Sequence, residues 1–392
     1  MGTDRAPPSR HWNPPTGPLY ARVMRLVLVG AGHGHLHALG SLRRIVARGH
    51  ATTLVAPEPF WYSGLATGVL GGRYPAALDR IDVAATARAA GAMVAETAAV
   101  SVDVANRTLG LADGRSIRWD VLSIAVGSAP PPLPGSADNP AVHPVKPVAR
   151  LLALRTHLER AFAEGRMPRV AVAGGGATAV EVAANLAALA ARAGARIAVT
   201  ILAGAPPLAR LPPGARDRVL RSLDRAGVAV RTGARVLRVE GREAVLATGG
   251  RIAFDHLVNA TGLVPNPLHA ATGLPLDETG ALRVDRFLRS VGDPAVHGAG
   301  DGVTVEGHHL DKVGVYAIRQ GPVLTANLEA ALEGGPPVPF RPQRRYLWIL
   351  NLGDGTGLAM RGGLWWHGRA AFLLKDLIDR RFLAANRPPA VP

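Results

Sequence analysis

Apolar residues in this chain fall into short continuous runs, separated by stretches whose apolar positions recur at helical spacing. Arg25–Val29 reads as a buried strand, and 52–55 is a second run of the same kind. Residues 33–48 between them have the spacing of an amphipathic helix. The unit has the length of one β–α–β element. The pattern then recurs, with a strand over Arg169–Ala173, a helix over 178–193 and a strand over 196–202. A Gly-rich turn joins strand to helix in both copies, with Gly30 and Gly174 in equivalent places. Strands and helices in alternation predict an α/β fold with parallel sheets.

Pro and Gly mark the larger divisions. A Pro-rich segment over 130–147 reads as a connector, followed by a helix over 148–164, and a second Pro-rich stretch over 334–342 sets off a C-terminal segment. Residues 1–23 read as a loose extension without the apolar core of a signal peptide, and Met24 is a candidate start. No apolar stretch is long enough for a membrane span, so the expected location is the cytoplasm.

The two turns carry the first chemistry. In a dinucleotide fold the first Gly makes the tight turn, and the second lets the backbone approach the pyrophosphate at the helix N-terminus. Gly30 and Gly32 fit those roles in Val29-Gly30-Ala31-Gly32-His33-Gly34-His35, but His35 stands where a third small residue is expected, with Gly34 one place early. Gly174-Gly175-Gly176-Ala177-Thr178-Ala179 fits the pattern fully, through Gly174, Gly176 and Ala179. Two such turns imply two nucleotides, most simply FAD and NAD(P). Neither second strand ends in the acidic residue that would hold a ribose. Glu58 stands two places late in the first copy, and Arg210 in the second could pair with a 2′-phosphate, so NADH and NADPH are both compatible.

Composition sharpens this in two ways. The chain has no Cys, which excludes a disulfide framework, cysteine-ligated metals and a thiol nucleophile. Its net charge of +16 would suit an anionic partner, but the basic residues are scattered and almost all are Arg. Compositional bias accounts for most of that charge, and no nucleic-acid partner is expected. Alternate residues on a helix point about 200° apart, so His33, His35 and His37 do not converge on a metal. No metal site is expected.

Three later segments complete a pattern: Asp120-Val121-Leu122-Ser123-Ile124-Ala125-Val126-Gly127, Leu257-Val258-Asn259-Ala260-Thr261-Gly262 and Val296-His297-Gly298-Ala299-Gly300-Asp301. With them the chain resembles the pyridine nucleotide-disulfide oxidoreductase superfamily. Within it, the chain is similar to type II NADH dehydrogenases and to the flavoprotein domain found fused to selenide, water dikinase. The resemblance implies two Rossmann-like dinucleotide-binding domains, the second inserted in the first. FAD would be bound by 24–147 with 263–333, NAD(P) by 148–262, and 334–392 would form an interface or membrane-surface segment.

The resemblance also assigns candidate residues. Gly30, Gly32, Gly34, His35, Glu58, Gly127, Gly300 and Asp301 would hold FAD, the last through its ribitol, and Gly262, ending the NAD(P) insertion, is a further cofactor-binding candidate. Glu181 would face the nicotinamide and flavin, and Gln320, in the segment Lys312–Gly321, would lie near the quinone side. The stretch Tyr62-Ser63-Gly64-Leu65-Ala66-Thr67-Gly68 reads as a loop where the superfamily's redox Cys would lie. Without a thiol, hydride would pass from NAD(P)H to FAD and electrons directly to a quinone or other small acceptor. The alternatives are selenium- or sulfur-linked redox work and a non-catalytic flavin module. Residues 364–385 read as one amphipathic helix with a stripe of Trp366, Ala370, Leu373, Leu374, Leu377 and Ile378. Packing on the core or in a homodimer is the expected cover, with peripheral membrane contact the alternative.

Overall fold

The computed structural model describes residues 23–387. The N-terminal extension expected over 1–23 therefore lies outside the described residues apart from Val23. Two five-stranded parallel sheets form the frame. The first has the order Val296–Gly298, Val121–Ile124, Arg25–Val29, Ala51–Val55, Met93–Ala95. The second has the order Val142–Pro144, His256–Asn259, Arg169–Ala173, Ala198–Leu202, Ala229–Arg231. The strands are almost wholly apolar because both faces are covered, as parallel sheets require. Leu26, Val27, Leu28 and Val29 are all 1% exposed.

The repeat seen in the sequence extends through each half. Arg25–Val29 and Arg169–Ala173 each lie between the next strand in sequence and the closing strand of their sheet. Ligands gather at such a switch point, beyond the carboxyl ends of the strands. Each half also carries a three-stranded antiparallel sheet, over Ala99–Asp103, Thr108–Leu111 and Ser116–Arg118 in one and over Val236–Glu240, Glu243–Leu246 and Arg251–Ala253 in the other. The same ionic fork opens both sheets. The Arg25 guanidinium donates to both Asp120 carboxylate oxygens at 2.9 Å, and Arg169 grips Asp255 at 3.0 and 3.2 Å.

The helices follow the predicted spacing closely: His33–Ala47, Ala149–Ala163 and Ala177–Arg192. Three expectations change. Val142–Pro144 is the edge strand of the second sheet, so that sheet takes residues ahead of the expected boundary at 148. Tyr62–Gly68 is not a loop: Ser63–Leu70 is a helix, buried from Leu65 onward. It stays helical despite Gly64 and Gly68 because their missing side chains let the Tyr62 and Tyr74 rings lie against the backbone.

The third change concerns the C-terminal segment. Leu364–Gly368 is the last strand of a hairpin sheet with Leu347–Asn351 and Gly357–Arg361, and the helix is Arg369–Asn386. Gly368, at φ 139° and ψ −171°, separates strand from helix in a conformation a side chain resists. Trp366 therefore belongs to the hairpin and not to the helical stripe. Among the described residues no helix is long and apolar enough to cross a membrane.

Candidate functional site

Both Gly-rich turns are forced to be glycine by close backbone approach. A Cβ on Gly30 (φ +80°) would stand 2.7 Å from the Ala125 carbonyl oxygen, and one on Gly32 2.5 Å from it. A Cβ on Gly174 (φ +132°) would stand 2.2 Å from the Ala260 carbonyl oxygen. In each half the turn thus nests against the end of the closing strand. Gly34 takes the packing role of the third glycine, since its Cβ would meet that of Ala299 at 2.7 Å. Ala179 does so in the second half and is fully buried.

His35 is not a ligand donor. It is fully buried, with Nδ1 2.6 Å from the Gly30 carbonyl and Nε2 2.8 Å from the Ser123 hydroxyl. Both ring nitrogens are committed inside the protein, so His35 braces the turn. Burial pushes its pKa down to about 4, which keeps the ring neutral. His37 bonds Thr325 at 2.9 Å, and His33 packs edge-on to Phe60. The three alternate histidines do diverge.

The fit of dinucleotides rests on the open side of these turns. Beyond Gly127, Gly176 and Gly262 nothing lies within 4 Å of where a Cβ would stand. Gly127 and Gly262 also hold positive φ, at +72° and +129°, at the ends of the two closing strands. Glu58 is exposed beyond the strand Ala51–Val55. These positions leave room for backbone N–H groups and small residues to meet a diphosphate.

Asp301 lies at the centre of the first half's opening. Its Oδ2 accepts from the Ser128 hydroxyl at 2.7 Å and from Lys146 Nζ at 2.8 Å, while Lys312 Nζ donates to its backbone carbonyl at 3.0 Å. Burial works against the charged carboxylate, but Lys146 and Ser128 outweigh it and hold the pKa below the ordinary value. Gly300 N–H donates to Gln320 Oε1 at 2.7 Å. Gln320 is 2% exposed, so it fixes the Gly300-Asp301 turn to the helix Gly314–Glu333. A cavity of about 210 Å³ opens here, lined by Asp301, Lys312, Tyr316 and Gln320.

A second cluster faces this one across the His33 ring. Tyr62 donates to Asp379 Oδ1 at 2.8 Å, and Lys375 Nζ donates to Asp379 Oδ2 at 2.7 Å and to the Gly64 carbonyl at 2.5 Å. Tyr62 stacks on Phe382 with ring centroids 4.5 Å apart, and His33 lies 5.6 Å from the Tyr62 ring. Burial, then the Asp379 charge, raises the Tyr62 pKa, so the phenol remains a donor. Glu181 accepts from the Asn351 N–H at 2.5 Å. Burial raises its pKa, with Lys375 opposing and Asp379 reinforcing the shift. Glu181, Lys375, Asp379 and Tyr62 thus form one electrostatic group between the two halves and the C-terminal helix.

Sequence reasoning missed Ser128, Lys146, Lys375 and Asp379 as site residues. One compositional signal was available for two of them. The chain has only three lysines among its 45 basic residues, Lys146, Lys312 and Lys375, and all three bind groups of these two clusters.

The family model "Pyridine nucleotide-disulphide oxidoreductase" matches residues 24–322. The chain is 30% identical to the probable ferredoxin reductase CtmF of Castellaniella defragrans, over 90% of this chain and 88% of that protein. It is 29% identical to an NADH dehydrogenase-like protein of Mycobacterium tuberculosis, over 71% of this chain and 72% of the other. The solved sulfide:quinone oxidoreductase of Aquifex aeolicus has the same fold, with a TM-score of 0.75 at 16% identity, covering 93% of this chain and 92% of that one. The chain belongs to the pyridine nucleotide-disulphide oxidoreductase family and is an NAD(P)H-dependent flavoprotein oxidoreductase with FAD and NAD(H) as its cofactors.

Proposed function

We propose that this protein passes electrons from NAD(P)H through FAD to a quinone, without a redox disulfide. The observation that carries this reading is the two-sided C-terminal segment. Its helix Arg369–Asn386 turns Lys375, Asp379 and Phe382 inward, onto Tyr62 and the Gly64 carbonyl. Its outer surface and the adjoining strand leave Leu364 78%, Leu373 61%, Leu377 47% and Ile378 44% exposed, together with Trp366. The two helix aspartates, which in the sequence weigh against a lipid contact, both point away from this face. Asp379 is buried with Tyr62 and Lys375, and Asp376 accepts from Tyr74 at 2.7 Å and from Arg380 at 2.9 Å. An apolar face with Trp and flanking Arg suits a membrane interface, where a lipid-soluble acceptor is found.

In this reading 24–141 with 263–333 bind FAD, through Gly30, Gly32, Gly34, Glu58, Gly127, Gly300 and Asp301. Residues 142–262 bind NAD(P)H, with Gly174, Gly176 and Ala179 at the pyrophosphate and Gly262 at the end of the closing strand. Bound FAD supplies hydride acceptance from the nicotinamide and electron release to the acceptor. Glu181 orients the nicotinamide, and Gln320 keeps the Asp301 turn in place. The net reaction takes one NAD(P)H, one quinone and one proton to NAD(P)⁺ and hydroquinone. Tyr62 donates its one hydroxyl proton to Asp379, so Lys375, with one N–H beyond its two bonds, is the donor this cluster offers to an acceptor oxygen.

A second reading is a soluble iron–sulfur protein as acceptor. The likeness to a probable ferredoxin reductase along most of the chain and the +16 charge favour it. The test is anaerobic reduction of the holoenzyme by NADH and by NADPH, then reoxidation by a short-chain quinone, a lipid quinone in vesicles and a [2Fe–2S] ferredoxin. Quinone reoxidation at full stoichiometry is expected. Reoxidation by ferredoxin alone overturns the quinone reading.

A further inference from the structure

Three histidines meet on one face of the second sheet. His143 is on the edge strand Val142–Pro144 and His256 opens the neighbouring strand His256–Asn259. His143 pairs in register with Val258, two residues beyond His256, so both histidines point to the same side of the sheet. The helix Ala149–Ala163 covers that side and brings His157 over them. One ring nitrogen from each lies within 4.8 Å of the other two. His143 Nε2 and His256 Nδ1 are 3.1 Å apart, and the His157 and His256 rings are stacked at 5.8 Å with only 7° between their planes.

We infer that His143, His157 and His256 form a binding site for a nitrogen-preferring divalent transition metal, of which zinc is the representative. Tetrahedral zinc holds imidazole nitrogens at about 2.0–2.1 Å, which puts pairs of them roughly 3.3–3.4 Å apart. The closest pair is already near that spacing, and His157, exposed on a helix surface, is free to turn toward it. The surroundings of His143 and His256 disfavour a charged ring. Burial, with the neighbouring histidines and Arg150, pushes His143 down to about 3, and burial with His157 and Arg242 pushes His256 down to about 4. Neutral imidazoles offer lone pairs, and binding then displaces few protons.

The surroundings also define the class of metal. Arg150, Arg166 and Arg242 place positive charge around the cluster. The nearby carboxylate, Asp255, is already forked by Arg169. A hard cation that depends on anionic oxygens, such as Mg²⁺ or Ca²⁺, finds no suitable ligands here. Zn²⁺, Ni²⁺ and Cu²⁺, which bind through nitrogen donors, do. His157 is the exposed member, so the fourth coordination position faces solvent and a water molecule completes it. The bound ion would join the edge strand, the first helix of the second half and the returning strand at one point.

The test uses full-length, untagged holoenzyme dialysed against a chelator. Calorimetric titration with Zn²⁺ is expected to show one equivalent bound, with a rise in unfolding temperature that Mg²⁺ does not reproduce. Co²⁺ should give the visible ligand-field bands of a tetrahedral nitrogen site. His157→Ala and His157→Gln change an exposed residue and should fold normally. Binding should weaken in both by at least ~10-fold, since even changes outside the ligand set cost ~10–100-fold at metal sites. A double variant of the exposed pair, His308→Ala with His309→Ala, should bind as the parent does. Absence of stoichiometric Zn²⁺ binding, unchanged binding in the His157 variants, or loss in the His308/His309 variant overturns the assignment.

Discussion

A single methyl group at Gly30 or at Gly174 tests the two proposed nucleotide sites separately. Gly30→Ala forces a Cβ onto the Ala125 carbonyl, and Gly174→Ala forces one onto the Ala260 carbonyl at 2.2 Å. We expect Gly30→Ala to purify without flavin absorbance. Gly174→Ala should retain FAD but raise the KM for NAD(P)H by about tenfold or more, about 1.4 kcal/mol of binding. Steady-state kinetics and the visible spectrum separate the two outcomes. His35→Ala leaves the Gly30 carbonyl and the Ser123 hydroxyl without their partner in the core. That should cost ~1–3 kcal/mol in chemical unfolding. What was legible at this scale was local in sequence. The Gly turns and Gly300-Asp301 are contiguous motifs, whereas Lys146 stands 155 residues from Asp301 and His143 stands 113 from His256. No spacing rule connects such pairs before the sheets bring them together.

The C-terminal helix is tied to the first half by hydrogen bonds from Tyr62 to Asp379 and from Lys375 to the Gly64 carbonyl, built on an ion pair within the helix. Lys375 and Asp379 lie one turn apart, with side chains 13% and 6% exposed, and Tyr62 takes the second Asp379 oxygen. Lys375→Met removes the partner of a buried carboxylate, a loss of ~3–5 kcal/mol when such a pair is broken. The expected result is a lower urea midpoint and early proteolytic release of the segment after Gly334. The periodicity of this region misleads for a physical reason. Trp365 and Trp366 lie on opposite faces of a hairpin strand, but the adjoining helix continues their apolar spacing, so helical and strand patterns merge. Ser63–Leu70 shows the converse. Its small residues look like a loop in sequence, and only burial against Tyr74 and the helix Ala177–Arg192 makes it a helix. By contrast, the strand–turn–helix units starting at Arg25 and Arg169 were legible because their period is strong and unbroken.

For the whole molecule the buried histidines set the response to acid. His33, His35, His256, His269 and His297 are pushed from 6.5 down to about 4, and His143 to about 3, in each case chiefly by burial. Between those values and 6.5 the unfolded chain binds protons that the folded one refuses. Stability is therefore full above pH 6.5 and falls as pH drops toward 4, by up to about 1.4 kcal/mol per pH unit for each histidine. Urea unfolding at pH 7.5, 6 and 5 should show a steadily falling midpoint. A flat profile over that range would show that these rings protonate in the folded protein.

The scarcity of lysine has a practical consequence. Arginine does not react with activated esters or in reductive methylation, and the chain's only three side-chain amines bind Asp301, Asp379 and the Gly64 carbonyl. Apart from the α-amine, amine labelling is therefore a footprint of these two clusters. The mass added to tryptic peptides spanning these three positions, measured with and without nucleotide, reports their accessibility without any engineered probe.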